Sequence, residues 1–314
     1  MWQHQRLQLT TARSRTAPTR SESGPFGVDK HELGAAAGAT IAGVTDVEIP
    51  AEVAFQAISP SAVGPPPHPD SRAVRTMTEA WCVLVTAMPA LTFVERVRTT
   101  PEEAATVVED VRDVLRAHGR TSAAWSLDTV GQADVLTALR AQGLVDYDLP
   151  LLEPTFAAMA LTTAPSGTGG AHVDVRRAET LEEYLAVGRM ASDVFGLTGA
   201  DREGMIESMG RRHPMERDGR SHMRQYVAFV GSEMVGEAQS SELDAGSNLS
   251  GSSVLPAARG RGVYRALVQA RWDDAVGRGH PALTVQAGAM SRPILERLGF
   301  VTVAEMTVLR DSFE

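Results

Sequence analysis

One thiol, Cys82, is present in 314 residues. An intramolecular disulfide and a zinc site built on several thiolates are therefore excluded. A reducing compartment, the cytoplasm, is the simplest setting. Cys82 itself sits in the apolar run Trp81 to Val85 and reads as a buried, inert thiol. There is one lysine, Lys30, so every other basic side chain is arginine. A Walker phosphate loop needs Gly-Lys-Ser/Thr and is excluded. The arginine excess, beside much Ala, Val and Gly, reads as codon bias. No run approaches the ~18 apolar residues of a membrane span. Met1 to Arg20 lacks the apolar centre of a signal peptide and reads as a floppy leader, or as the product of a start placed upstream. Positive charge is in deficit, with 30 basic against 39 acidic residues and a net charge of −9. That argues against binding a nucleic-acid backbone. No Gly-x-Ser-x-Gly elbow occurs, and no His/Asp/Glu cluster has metal-ligand spacing, so no metal is expected.

What is present is ordinary globular material: 43% hydrophobic and 22% charged residues. The length suits two domains. Residues 1–38 are polar, aperiodic and broken by Pro18, Gly24 and Pro25, which reads as a disordered tail. The stretch 162–170, Thr-Thr-Ala-Pro-Ser-Gly-Thr-Gly-Gly, has nothing to bury and reads as a linker. The domains expected are 39–161 and 171–314. Both alternate strand and helix signals, as in an α/β fold with a mixed sheet. In the first, Leu91 to Val97 is a β-prone run. Thr100, Pro101 and Glu103 then form a capping box before a helix carrying Val107, Val108, Val111 and Leu115 on one face. In the second, Thr180 and Glu183 repeat the box, and Tyr226 to Gln239 reads as a hairpin turning at Gly231-Ser232. The Arg-rich stretch Arg211 to Arg224, with His213 and His222, reads as a mobile polar loop. Lining an acceptor site or touching a phosphate is its alternative role.

The segment that carries chemistry is Val254 to Leu267. A strand ends at Pro256, a turn with Arg259, Gly260, Arg261 and Gly262 follows, and a helix begins near Gly262. Free N–H groups at a helix start, glycines that admit a ligand to the backbone, and two guanidinium groups suit a pyrophosphate. A plain strand–turn–helix corner fits these residues as well. A dinucleotide fingerprint does not, because Arg265 stands where its third glycine belongs.

The order of features around this segment resembles the GCN5-related N-acetyltransferase (GNAT) family. Val254-Leu255-Pro256 matches the end of that family's cofactor strand, and Arg259-Gly260-Arg261-Gly262-Val263-Tyr264 its Arg/Gln-x-x-Gly-x-Gly/Ala motif. Ser291 to Phe300 matches its closing helix and Leu-Gly-Phe corner. The resemblance covers about 171–314. It implies acetyl-CoA or another acyl-CoA as co-substrate, with the pantetheine arm along Ser253, Val254 and Leu255. It places the pyrophosphate on the amides from Arg259 to Tyr264, including Gly260, Arg261, Gly262 and Val263. Two departures stand out. Tyr264 replaces the motif's last small residue, so its ring either crowds the pyrophosphate or packs beneath it. Leu295 occupies the position of the tyrosine that often protonates the leaving thiolate. The general-base candidates are Glu237 and Glu242, each of which also reads as a solvated strand-edge carboxylate.

The first half resembles the family faintly. Thr100-Pro101-Glu102-Glu103 stands where the cradle should be, and its carboxylates would repel a pyrophosphate. A tandem arrangement with one degenerate GNAT-like domain follows, the degenerate half packing on the active one. The implied function is acyl transfer from acyl-CoA to an amine of a small molecule or peptide. The alternatives are a weak or inactive acyl-CoA-binding regulatory protein and a scaffold with no cofactor. No nucleic acid or membrane partner is expected, and a homodimer is compatible with the sequence. A fragment of residues 171–314 is expected to bind CoA alone.

Overall fold

The computed structural model describes residues 48–314 apart from 89, 90, 150, 168, 169 and 171. The tail expected at 1–38 lies outside the described residues, as does part of the expected linker. In chain order the first half contains α1 (Ala51–Ile58), β1 (Val74–Met77), β2 (Cys82–Val85), β3 (Thr92–Glu95), α2 (Ala104–Ala117), β4 (Ser122–Asp128), α3 (Ala133–Ala141), β5 (Val145–Asp146) and β6 (Thr155–Leu161). The second contains β7 (Asp174–Arg177), α4 (Leu181–Phe195), α5 (Gly199–Arg217), β8 (Met223–Val230), β9 (Glu233–Leu243), β10 (Gly246–Val254), α6 (Val263–Gly277), β11 (Leu283–Ala287), α7 (Arg292–Leu298) and β12 (Val301–Ser312).

Local chemistry explains most of these boundaries. Thr180 accepts from the Glu183 N–H while the Glu183 carboxylate takes the Thr180 N–H, so the expected box starts α4. The box expected at Thr100 forms only its return half, Thr100 N–H to Glu103 Oε2 at 3.3 Å, and α2 starts later, at Ala104. The hairpin turns at Gly231, where φ is +62°. The loop expected over Arg211 to Arg224 is instead helix as far as Arg217, with Pro214 inside it. Helix α5 survives a lost N–H because it packs on α4, where a Cβ on Gly188 would stand 2.9 Å from Ile206 Cα.

The strands form one mixed sheet in the order β1-β2-β3-β4-β12-β6-β11-β10-β9-β8-β7, with β5 also pairing β12. Two pairs are parallel, β3 with β4 and β10 with β11. The others are antiparallel. The division expected at 162–170 divides the chain but not the sheet. Strand β6 of the first half lies between β11 and β12 of the second. Strand β12 in turn pairs β4 over Met306↔Asp128 to Ser312↔Ser122. Each half therefore completes the other by one strand. Apolar clusters lie against both parts: one around Trp125, Val108 and Leu139, another around Leu267, Val263 and Tyr226, and a third around Trp272, Leu283 and Leu295. Helix α1 crosses the junction, with Ala57 packed against Ala158 and Met306. Gln56 there donates to Thr284 Oγ1 at 3.1 Å. Among the described residues no helix is long and apolar enough to cross a membrane.

Candidate functional site

Strands β10 and β11 run together only over Ser247↔Leu283, Asn248↔Thr284 and Leu249↔Val285, then part. Strand β10 continues to Val254 on its other partner, β9, through an irregularity. Ser250 faces Gln239 and Ser253 faces Glu237, so Ala238 opposes both Gly251 and Ser252. This is a β-bulge, and Gly251 takes the left-handed φ of +45° that its first position favours. A wedge-shaped gap between two parallel strands is the result, edged by backbone groups that have left the ladder.

The turn beyond β10 closes the mouth of that gap. The Leu255 N–H donates to Val235 O at 2.9 Å, and residues 256–258 make one 3-10 turn. Gly260 and Gly262 have φ of +76° and +83°, and Gly262 caps α6. The first bond into the helix is Ala266 N–H to Gly262 O, 3.0 Å. The amides of Val263, Tyr264 and Arg265 precede it and have no partner within the helix. Arg259 and Arg261 are exposed, and among the described residues neither is ion-paired with a carboxylate. A Cβ at Gly260 would meet nothing within 4 Å, so the turn is open there, whereas Gly170 lies against its other side, where a Cβ would stand 2.4 Å from Arg261 O. Val263 is buried and seats α6 on β9, where a Cβ on Gly236 would stand 2.8 Å from Val263 Cγ1. The Tyr264 ring turns to the core, against the cluster of Leu249, Val268 and Trp272.

The two carboxylate candidates part company. Glu237 is fully buried on β9, not at a solvated edge. The Ser253 hydroxyl donates to its Oε1 at 2.7 Å and Gln225 Nε2 to its Oε2 at 3.0 Å. Burial pushes its carboxyl up to about 7, against the pull of those two hydrogen bonds. Glu242 lies five residues further along β9, on the order of 17 Å away. It is ion-paired with Arg224 at 2.6 Å and Arg278 at 3.4 Å. With Asp244 and His280 it lines a shallow cavity of about 410 Å³ at the end of the hairpin remote from the turn. The structure thus brings Glu237, Ser253 and the turn together and leaves Glu242 out. Leu295 is fully buried in the third cluster, so no proton donor stands at that position.

Other polar groups lie around these, and of them Gln225 and Arg271 gave no warning in the sequence. Gln225 is buried beside Glu237, and its N–H donates to Glu216 Oε2 at 3.0 Å. Glu216 is itself buried and paired with Arg212 at 2.8 Å. His213 is edge-on to Tyr184 at 5.3 Å, away from the turn. His222 lies among Arg75, Arg212 and Arg224, and burial foremost, then their charge, holds it below the usual imidazole range. Arg271, fully buried beneath the bulge, carries a charge that helical periodicity would assign to an apolar position. Among the described residues no group of His, Cys, Asp and Glu could hold a metal ion.

Residues 198–312 match the family model described as "Acetyltransferase (GNAT) domain". No curated protein matches the chain. Among solved structures, a GCN5-related N-acetyltransferase from Kribbella flavida aligns with a TM-score of 0.56 at 16% identity, over 76% of this chain and 89% of that one. A GCN5-related N-acetyltransferase from Sphaerobacter thermophilus aligns at 0.53 and 15% identity, over 76% and 82%. A tandem GNAT protein from the clavulanic acid biosynthesis pathway aligns at 0.50 and 15% identity, over 91% of this chain and 96% of that one. At these identities the likeness is one of fold, and the last extends it across both halves.

Proposed function

With an acetyltransferase (GNAT) domain in residues 198–312, we propose that the protein transfers an acyl group, acetyl foremost, from acyl-CoA to an amine of a small molecule or peptide. The observation that carries this reading is the turn at 259–265, open at Gly260, whose leading amides, and arginines without a carboxylate partner among the described residues, follow the end of β10 where it has parted from β11. Two linked phosphates need several N–H donors and positive charge in one concave turn, and this turn supplies both. The freed backbone of Ser253 to Leu255 would hold the amides of a pantetheine arm. When bound, the thioester supplies an acyl carbon open to attack by an amine.

The chain's own part is to align the amine and take its proton. Glu237, with its carboxyl near 7, can accept a proton at neutral pH and give it up again. It is enclosed, so Ser253 relays: its hydroxyl gives its proton to Glu237 Oε1 and takes one from the amine. The departing thiol has an ordinary pKa of about 8.5 and leaves without an acid at Leu295. The overall charge of −9 favours a cationic amine. The first half acts as a structural partner without a phosphate cradle, and the cytoplasm is the compartment that suits the whole.

Buried, apolar Leu295 favours a second reading, in which acyl-CoA is bound but not turned over. Isothermal titration with acetyl-CoA, followed by thiol release across a panel of amines, tests both. Binding with release supports transfer, and binding without release supports the second reading. No binding at millimolar ligand overturns both.

A further inference from the structure

We propose that Arg271 is the positioning residue that holds the cofactor strand bulged and parted from its neighbour. The proposal rests on reading the gap as an acyl-CoA groove. Arg271 follows Val263 on α6 by just over two turns and is fully buried. Among the described residues no carboxylate is ion-paired with it, and its Nη2 has no hydrogen-bond partner. The Glu237 carboxylate acts on it only from beyond ion-pair distance, and a guanidinium stripped of water without a direct counter-ion is a costly thing to keep in a core. The bonds it does make show what it holds. Nε donates to Leu267 O at 2.9 Å, fixing the side chain to its own helix. Nη1 donates to Gln239 O on β9 at 3.0 Å and to Ser252 Oγ on β10 at 3.2 Å.

One of those acceptors belongs to the bulge and the other is next to it on β9, where Ala238 faces both Gly251 and Ser252. One planar group thus ties the extra residue of β10 to the neighbouring strand and ties both to α6. The parallel pairing of β10 with β11 ends at Leu249, two residues before the displaced pair Gly251 and Ser252. Arg271 therefore sits where the groove begins to open, and it fixes that opening before any ligand arrives. A groove set in advance spares a ligand the cost of ordering it. A lysine ammonium in the place of Nη1 could reach both acceptors, but it lacks the separate Nε donor that pins the side chain to Leu267 O.

The test uses the full chain with Arg271→Met and Arg271→Lys. Methionine fills the space without either bond, and replacing a buried ion by a hydrophobe of similar size frequently leaves stability intact. Hydrogen exchange is measured without ligand, and CoA affinity by titration. In Arg271→Met the amides of residues 250–254 should exchange at least ten-fold faster while those of β8 hold their rate. The CoA dissociation constant should rise at least ten-fold, with Arg271→Lys between the two. Exchange and affinity within two-fold of the parent overturn the proposal, and so does uniform acceleration across β8 and β10. If Arg271→Met does not fold, Ser252→Ala removes one acceptor alone. Two- to five-fold faster exchange confined to 250–254 then supports the role, and none overturns it. A parent protein that binds no CoA defeats the acyl-CoA reading, and the exchange comparison still decides what Arg271 does.

Discussion

The two halves follow one plan and differ where a phosphate would sit. In each, an antiparallel run (β1-β2-β3 and β7-β8-β9-β10) leads to a strand that pairs in parallel with the next, β4 or β11. Eight residues, 96–103, join β3 to α2, and eight, 255–262, join β10 to α6. Helices α3 and α7 are followed by Gly143 and Gly299, with φ of +92° and +99°. Counting from the strands, Arg259-Gly260-Arg261-Gly262 corresponds to Thr100-Pro101-Glu102-Glu103. Pro101 has no N–H to offer, and the two glutamates bring negative charge where the other half brings positive. The scaffold thus carries either chemistry in its turn, on a strand-to-helix corner of the same length in both halves. Each half also buries one glutamate whose carboxyl burial pushes up to about 7: Glu95, which accepts the Ser61 N–H at 2.8 Å, and Glu237.

The harshest test of this comparison is to part the halves. The sequence alone leads to the expectation that a fragment of residues 171–314 binds CoA, but that fragment lacks β6, which lies between its own β11 and β12. It should show no cooperative thermal transition by circular dichroism. A cooperative melt with CoA binding would show that the exchanged strands are dispensable.

A second test exchanges the chemistry of the turns. Gly262→Asp puts a carboxylate, and a side chain at a φ of +83°, into the cradle, and CoA affinity should fall at least a hundred-fold by titration. Glu103→Gly, its counterpart, should change that affinity less than two-fold. An equal loss from both would mean that the first half also holds the ligand.

The gentlest test compares the buried glutamates. Glu237→Gln should lower kcat about a hundred-fold and remove the rise of activity through pH 7, whereas Glu95→Gln should leave both as they are. Stability should respond alike at the two sites. Each carboxyl holds its proton up to about 7 when folded, against 4.5 ordinarily. Between those values the unfolded chain releases a proton that the folded chain keeps, so stability falls as pH rises through that window. Either glutamine removes this loss and should raise stability at pH 8 by on the order of 1–3 kcal/mol relative to pH 4, read from urea denaturation.

What could be read in advance was local. The turn at 254–264, the box at Thr180 and Glu183 and the hairpin at Gly231 are each decided by a few adjacent residues, and each formed. The exchange of β6 and β12 was illegible, because a strand's apolar pattern says that it will pair and not with which neighbour. Helix α5 escaped the sequence reading because Arg211 to Arg217 offers a single apolar side chain, Met215, and holds a proline, so periodicity had little to register. Glu237 was visible as a candidate, but its burial depends on Gln225, Ser253 and a second layer no spacing announces. Arg271 was hidden by the opposite habit, since charge is ordinarily taken for surface.

The exchanged strands also bear on how the chain is made. Thr129 and Thr307, whose hydroxyls meet at 2.8 Å at the edge of the β4–β12 pairing, are 178 residues apart. A ribosome working at ~5–20 residues per second takes on the order of ten seconds or more to cover that interval. Throughout it, β4 has emerged with one edge bare, and β6 waits between partners that do not yet exist. The nascent chain thus carries an open template for mispairing, and a chaperone that covers sheet edges should influence yield more than any single side chain of the mature fold.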